Sequence, residues 1–338
     1  MIPRIMNTLK GKKILITGGT GSLGQALTKR LLLEDVEVIR IFSRNENKQV
    51  TMGEKFQNKK LRFLIGDIRD LPRLQRAMEG IDIVFHAAAL KHVPVVEYNP
   101  FEAINTNVIG SQNVIDACLH ENIEIAVAVG TDKAVSPLNT YGATKLLMER
   151  LFVTASNYLD NQKHKTKFIA LRYGNVLGSS GSVIPKFINQ IKENKKITIT
   201  EPSMTRFSIT MDEALDFILN STKIGKGSEI FIPKLKAYTV GDIADALHSI
   251  LENTGKEKIT VRQGEKYHET LMNLDEMRTT LEADSFYMIK QQEITDGEIR
   301  EKYSNMKRVN LKESYSSDKV EKISIEGLKN MLSKSDLI

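Results

Sequence analysis

With one cysteine, Cys118, in 338 residues, the chain can form no intrachain disulfide and no cysteine-based metal site. The lone thiol reads as a small core residue on a helix, and nothing in the sequence predicts a metal. There is no tryptophan, and aromatic residues make up 6% of the chain. Such a composition does not interleave rings with cations as nucleic-acid surfaces do. Charge of one sign is also scarce: 48 Lys and Arg face 42 Asp and Glu, leaving +6, and the two signs alternate rather than gather into a basic tract. A mildly basic protein that handles an anionic, phosphate-bearing substrate accounts for this balance. No apolar run is long enough to span a bilayer, and Met1 to Lys13 lacks an apolar block followed by a small-residue cleavage site. The expectation is a cytoplasmic protein with neither a nucleic-acid nor a membrane partner. Low-complexity linkers and internal repeats are missing as well, so two lobes would share one continuous interface.

What is present is alternation. Short apolar runs at Lys12 to Thr17, Glu37 to Phe42, Leu61 to Ile65, Ile81 to His86, Ile123 to Val129 and Phe168 to Arg172 read as strands, with helical segments between them. The clearest helices are Pro100 to Glu121 and Thr140 to Asn157. This pattern predicts an α/β fold: a Rossmann-type doubly wound parallel sheet with a smaller C-terminal α/β substrate lobe. Residues 1–175 are assigned to the dinucleotide-binding domain and 176–338 to the second lobe, with 208–233 returning to the first. Helices are expected at Ser182 to Asn194, Met211 to Thr222, Val240 to Thr254 and Ile325 to Ser333.

Directly after the first strand, Thr17-Gly18-Gly19-Thr20-Gly21-Ser22-Leu23-Gly24 sets Gly18, Gly21 and Gly24 at the mouth of a helix. Glycines there permit the tight turn and let a pyrophosphate approach the backbone. They also let the helix pack closely on the strand, and the free amides of the first helical turn bind phosphate charge. At the end of the second strand, where an acidic residue would hold the ribose of NAD, stand Ser43 and Arg44. A guanidinium favours a 2′-phosphate, which predicts NADP(H).

Tyr141 and Lys145 fall at i and i+4 on one helix face. A phenol has a pKa of about 10 and is a poor base at neutral pH, but adjacent positive charge favours the phenolate. Such a tyrosine can take a sugar hydroxyl proton as the carbon loses hydride. At the end of the fifth strand, Thr131-Asp132-Lys133 places an acid beside a base, where open α/β sheets bind ligands. Epimerisation needs only the tyrosine; the added pair suits elimination of water, which needs one base and one acid.

These residues resemble the inverting UDP-N-acetylglucosamine 4,6-dehydratases of the extended short-chain dehydrogenase/reductase superfamily, enzymes of pseudaminic-acid and surface-polysaccharide synthesis. The resemblance runs over nearly the whole chain. It includes His86 to Pro94, Arg172-Tyr173-Gly174-Asn175, Met204-Thr205-Arg206-Phe207 and Gly264-Glu265-Lys266 besides the motifs above. It implies a closed redox cycle in which NADP(H) stays tightly bound and is regenerated each turn. Tyr141, assisted by Lys145, takes the proton of the 4-hydroxyl, Lys133 removes the proton on carbon 5, and Asp132 protonates the hydroxyl leaving carbon 6. Cofactor contacts are implied for Gly18, Thr20, Gly21, Ser22, Leu23, Gly24, Ser43, Arg44, Asp67, Ile68, Ala87, Lys91 and Asn107, besides Tyr141 and Lys145. Substrate contacts are implied for Lys91, Thr131, Asn175, Thr200, Thr205, Arg206, Arg262 and Glu265. A homo-oligomer, dimer or hexamer, is implied too.

Two positions depart from the family. Ser180 stands where a guanidinium is usual, and Gly130 stands where serine is usual, which is expected to loosen the loop carrying Asp132 and Lys133. The alternatives are a UDP-sugar 4-epimerase, which leaves Asp132 and Lys133 idle, and a non-catalytic NADP-sensing binding protein.

Overall fold

The computed structural model describes residues 9–333, apart from 159, 161–162 and 180–181. The first six strands are β1 (Lys13–Thr17), β2 (Val38–Ser43), β3 (Leu61–Ile65), β4 (Ile83–His86), β5 (Ile125–Val129) and β6 (Lys167–Leu171). They lie in the order β3-β2-β1-β4-β5-β6, all parallel. Strands buried on both faces read as nearly continuous apolar runs; Ile14, Leu15 and Ile16 of β1 are fully covered. The expected doubly wound parallel sheet is therefore present. Strand order reverses between β1 and β4, and this switch point opens a crevice at the strands' carboxyl ends.

The helices between these strands are α1 (Ser22–Leu31), α2 (Glu46–Phe56), α3 (Leu71–Met78), α4 (Val93–Tyr98), α5 (Pro100–Ile104), α6 (Gly110–His120) and α7 (Thr140–Thr154), of which α1, α2, α4 and α7 line the crevice. The sequence pattern suggests one helix over Pro100 to Glu121. In the structure it is interrupted by a π turn at Asn105–Ile109, which carries the buried polar side chains of Thr106 and Asn107. The wider turn lets Asn107 reach the Leu90 backbone instead of continuing a regular α-helical face.

The sheet does not stop at β6. Strand Glu229–Pro233 pairs parallel with it, followed by the antiparallel strands 286–290, 280–282 and 307–308. The helix Met211–Ile224, closed at its start by a Thr210/Glu213 capping box, packs on α1 with an Arg30–Asp216 ion pair. Sheet membership thus alternates along the C-terminal half of the chain. The strands beyond 233 are two to five residues long, too short for alternation to reveal them in sequence. The remaining segments form a smaller cluster around Phe187, Ile243, Leu247 and Leu328, where helices 183–192, 240–250 and 325–333 cover short strands.

Candidate active site

A single cleft of about 1550 Å³ runs from the β1 glycine turn to the 262–269 segment. Sites for drug-sized ligands occupy roughly 300–1,000 Å³, so this one has room for a dinucleotide and a nucleotide sugar together.

Its first half is backbone. Gly18 has φ +67°, and a Cβ there would lie 2.8 Å from the Ala88 backbone. A Cβ on Gly24 would meet the Gly19 backbone at 2.5 Å, so α1 can approach β1 only with glycine at both places. Gly21 caps α1 without any side-chain bond, and the first turn carries no acid. Its amides face the cleft at the positive end of the helix dipole. Thr20, Ser22 and Leu23 line the same turn, and Ala87 closes it from β4. At the far rim stand Ser43, Arg44, Asn45 and Lys48. Arg44 is about half exposed and 3.7 Å from Asp67. Asp67 is committed to Arg69, which donates to it at 2.8 and 3.0 Å; these bonds outweigh burial and lower its pKa. Ile68 lines the wall beside it.

Asn107 does not face this half of the cleft. It is fully buried; its amide bonds Leu90 N and O at 2.8 and 2.9 Å and Thr144 Oγ1 at 3.0 Å. It straps the loop that carries Lys91 to α7. Burial pushes the Lys91 pKa down where that side chain enters the cleft.

The second half is made of side chains. Asn139 caps α7, accepting from Gly142 N at 2.8 Å. A Cβ on Gly142 would lie 2.2 Å from the Lys133 carbonyl, so this glycine lets the first turn of α7 dock on the 132–134 turn and puts Tyr141 beside Lys133. The Lys133 amine lies 3.0 Å from Asp132 Oδ1, 3.2 Å from Glu269 Oε1 and 3.4 Å from Asn175 Oδ1. Burial works against its charge, but the carboxylates of Asp132 and Glu269 outweigh burial and raise its pKa. Asp132 is fully buried one layer behind the cleft, with Oδ1 bonded to the Thr131 hydroxyl at 2.9 Å and Oδ2 lacking a partner. Burial raises the Tyr141 pKa, opposed by the Lys133 charge and a hydrogen bond with Thr131. Lys145 turns away from the phenol to donate to the Val129 carbonyl at 2.6 Å, and burial lowers its pKa to about 7. In this arrangement the cation that favours the phenolate is Lys133.

The loop at Gly130 is tight rather than loose. Its amide donates to Leu171 O at 2.7 Å, and a Cβ would lie 2.2 Å from that oxygen, leaving no space for serine in this backbone. Arg206, Arg262 and Glu265 line the far wall, with Arg206 Nη2 3.3 Å from Glu265. Thr200 and Thr205 do not line it. Thr200 bonds the Met204 sulphur, and Thr205 is shared between His268 and Ser317 at 2.8 and 2.6 Å. Ser180 lies outside the described residues. The sequence reading missed Glu269 and Lys266. Lys266 donates to the Val135 carbonyl at 2.5 Å, and burial lowers its pKa. Lys266 stands in the Gly264-Glu265-Lys266 motif and Glu269 follows three residues later, but the motif does not say which side chain turns inward. Among the described residues no cluster of acids, histidines and cysteine could hold a metal, and no helix is long and apolar enough to cross a membrane.

The sequence pattern of a family described as "Polysaccharide biosynthesis protein" matches residues 14–291. The chain belongs to that family. A relative from Campylobacter jejuni, named UDP-N-acetylglucosamine 4,6-dehydratase (inverting), is 46% identical over 282 residues, 82% of this chain and 83% of its own. The resemblance seen in the motifs is thus found across the aligned sequences. Another relative, from Rickettsia bellii, is named UDP-glucose 4-epimerase; it is 41% identical over 332 residues, 97% of each chain. The crystal structure of Pen from Bacillus thuringiensis superposes with a TM-score of 0.88 at 41% identity, covering 97% of this chain and 99% of that one.

Proposed function

We propose that this protein is a UDP-N-acetylglucosamine 4,6-dehydratase that inverts carbon 5, a hydro-lyase with NADP(H) as its resident cofactor. The observation that carries the reading is the Lys133 amine, set between two buried carboxylates beside Tyr141, in the same cleft as the glycine cradle. Oxidation at carbon 4 alone would use Tyr141 and leave this cluster without a task.

A nicotinamide bound in the cradle would supply a reversible hydride acceptor for the sugar. The uncapped start of α1, with Gly18, Gly21 and Gly24, suits its pyrophosphate, and Arg44 with Lys48 suits a 2′-phosphate. Tyr141 takes the proton of the 4-hydroxyl. Once a proton has passed from the Lys133 ammonium to Asp132, 3.0 Å away, the neutral amine removes the carbon 5 proton, made acidic by the 4-ketone, and Asp132 gives its proton to the departing 6-hydroxyl through the Thr131 hydroxyl bonded to it. Because the acid and base interact strongly, they titrate as a unit. Arg206 and Arg262 meet the diphosphate or uridine.

The test is incubation with UDP-N-acetylglucosamine in deuterated water without added cofactor, followed by NMR and mass spectrometry. A 4-keto-6-deoxy product carrying deuterium at carbon 5 is expected, with the coupling constants there reporting inversion. The Rickettsia relative's name supports a second reading, a UDP-sugar 4-epimerase; accumulation of UDP-N-acetylgalactosamine with its carbon 6 oxygen retained would establish that instead.

We also read the chain as a homo-oligomer. Tyr98 of α4, Phe101 of α5, Ile109 of the π turn and Leu147 of α7 are 88%, 69%, 51% and 50% exposed, too apolar a group of packed helices to face water alone. Light scattering on the gel-filtered protein tests this, with a monomer overturning it.

A further inference from the structure

Glu269 has no place in the reaction as described so far, yet it is 2% exposed and borders the cleft. Its backbone is pinned on both sides: its amide donates to Ser317 Oγ at 2.9 Å, and its carbonyl accepts from Ser317 N at 2.8 Å. Ser317 is in turn bonded to Thr205 at 2.6 Å, so the carboxyl group is delivered to a fixed place. There Oε1 lies 3.2 Å from the Lys133 amine and 3.9 Å from Arg206 Nε, and Oε2 has no hydrogen-bond partner. The Arg206 charge is shared with Glu265 and with the carbonyls of Thr205 and Tyr267. Lys133 is therefore the nearest cation for two buried carboxylates, Asp132 and Glu269, each with one oxygen unsatisfied. A buried carboxylate so placed is costly unless it has work to do.

We infer that Glu269 is a positioning residue for Lys133, tethering the amine at the cleft and setting the pH at which it gives up its proton. The inference rests on the proposed role of Lys133 as the base that takes the carbon 5 proton. An amine held only by its neighbour Asp132 would be fixed from one side of the chain. The second carboxylate, from a segment more than a hundred residues away, pins Nζ between the two and adds a second negative charge. The other groups facing Lys133 are Arg206 and Lys266, which oppose its charge, the phenols of Tyr141 and Tyr238, and the neutral Asn175 Oδ1, which accepts from the amine at 3.4 Å. Among the charged groups, only the two carboxylates favour the ammonium.

Lysine labelled with 13C at Cε gives a signal for Lys133, assigned by its loss in Lys133→Arg, that reports the charge of the amine without turnover. In Glu269→Gln, which keeps the side-chain shape, the titration midpoint of that signal is expected to fall by about one pH unit or more. The acidic limb of kcat against pH should move to lower pH by the same amount, with KM for the UDP-sugar within about twofold of wild type. Glu269→Asp, whose carboxylate is drawn back by one methylene, should lie between the two, and it decides the matter if Glu269→Gln does not fold. An unchanged Lys133 midpoint in the variants overturns the inference whatever the activity. A midpoint that falls while the kcat limb stays put supports the tether and instead overturns Lys133 as the base.

Discussion

The two halves of the cleft are built from different material. At the α1 end the central groups are main-chain amides held by Gly18, Gly21 and Gly24 within one strand, turn and helix, with side chains such as Ser43, Arg44 and Lys48 at the rim. At the α7 end they are side chains from segments near residues 91, 132, 141, 175, 206 and 269. A backbone cradle tolerates change in everything except the space it needs. A side-chain cluster tolerates changes of backbone but depends on each group's charge and reach. Binding is accordingly written locally, and chemistry is assembled from afar.

Substitutions should separate the halves. Tyr141→Phe removes one hydroxyl from the reaction half, and kcat should fall roughly 100- to 10,000-fold while the cofactor, read by the absorbance or fluorescence of the purified protein, stays bound. Arg172 lies beneath the cleft, fully buried and bonded to Glu149 and Glu276. Arg172→Met removes the buried cation bonded to both Glu149 and Glu276, leaving Glu276 only Arg150 at 3.8 Å, and should cost about 3–5 kcal/mol in urea unfolding, abolishing the contrast by loosening the segment that carries Glu269. In the cradle, Gly24→Ala drives a methyl against the Gly19 backbone. A loss of about 1–3 kcal/mol and of bound cofactor is expected, measured by thermal melting and by cofactor content, with the reaction cluster unchanged.

Lys145 stands between the halves, and its effect appears with pH. Its pKa is lowered from 10.5 to about 7 by burial, so between those values the unfolded chain holds a proton that the folded chain does not. Stability of the cofactor-free protein should therefore rise with pH across this window, with a slope from this residue of at most about 1.4 kcal/mol per unit; below pH 7 the penalty is fully present and constant. Lys145→Met should flatten that part of the profile in denaturant titrations. The smallest effect belongs to the rim. Arg44→Ala should weaken NADP+ about tenfold relative to NAD+, corresponding to about 1.4 kcal/mol, by equilibrium binding; equal losses for both would remove the 2′-phosphate role.

Much of the fold is legible in the chain order of apolar runs. β1 to β6 lie within about two residues of their predicted bounds, because strands covered on both faces must be apolar throughout. The strands at 280–282, 286–290 and 307–308 are not legible: each borrows its burial and its pairing from elements far away in sequence. The same reason explains the site. Tyr141, Lys133 and the glycine turn are readable because local spacing fixes their relation. Asn107, Thr200 and Thr205 look like ligand contacts by family position, yet their polar atoms are spent on Leu90, Met204 and Ser317.

By itself the sequence determined the parallel sheet, the glycine turn that opens α1, and the closeness of Asp132 to Lys133 and of Tyr141 to Lys145, since periodicity and i, i+4 geometry act over a few residues. Only the tertiary structure decided that Lys145 turns to Val129 rather than to the phenol, that Gly142 brings Tyr141 onto the Lys133 turn, and that Glu269 closes on the amine from the other side. Those relations depend on burial and on how separate segments dock, over 16 residues for Lys145 and Val129 and over more than a hundred for Glu269 and Lys133, which no local pattern encodes.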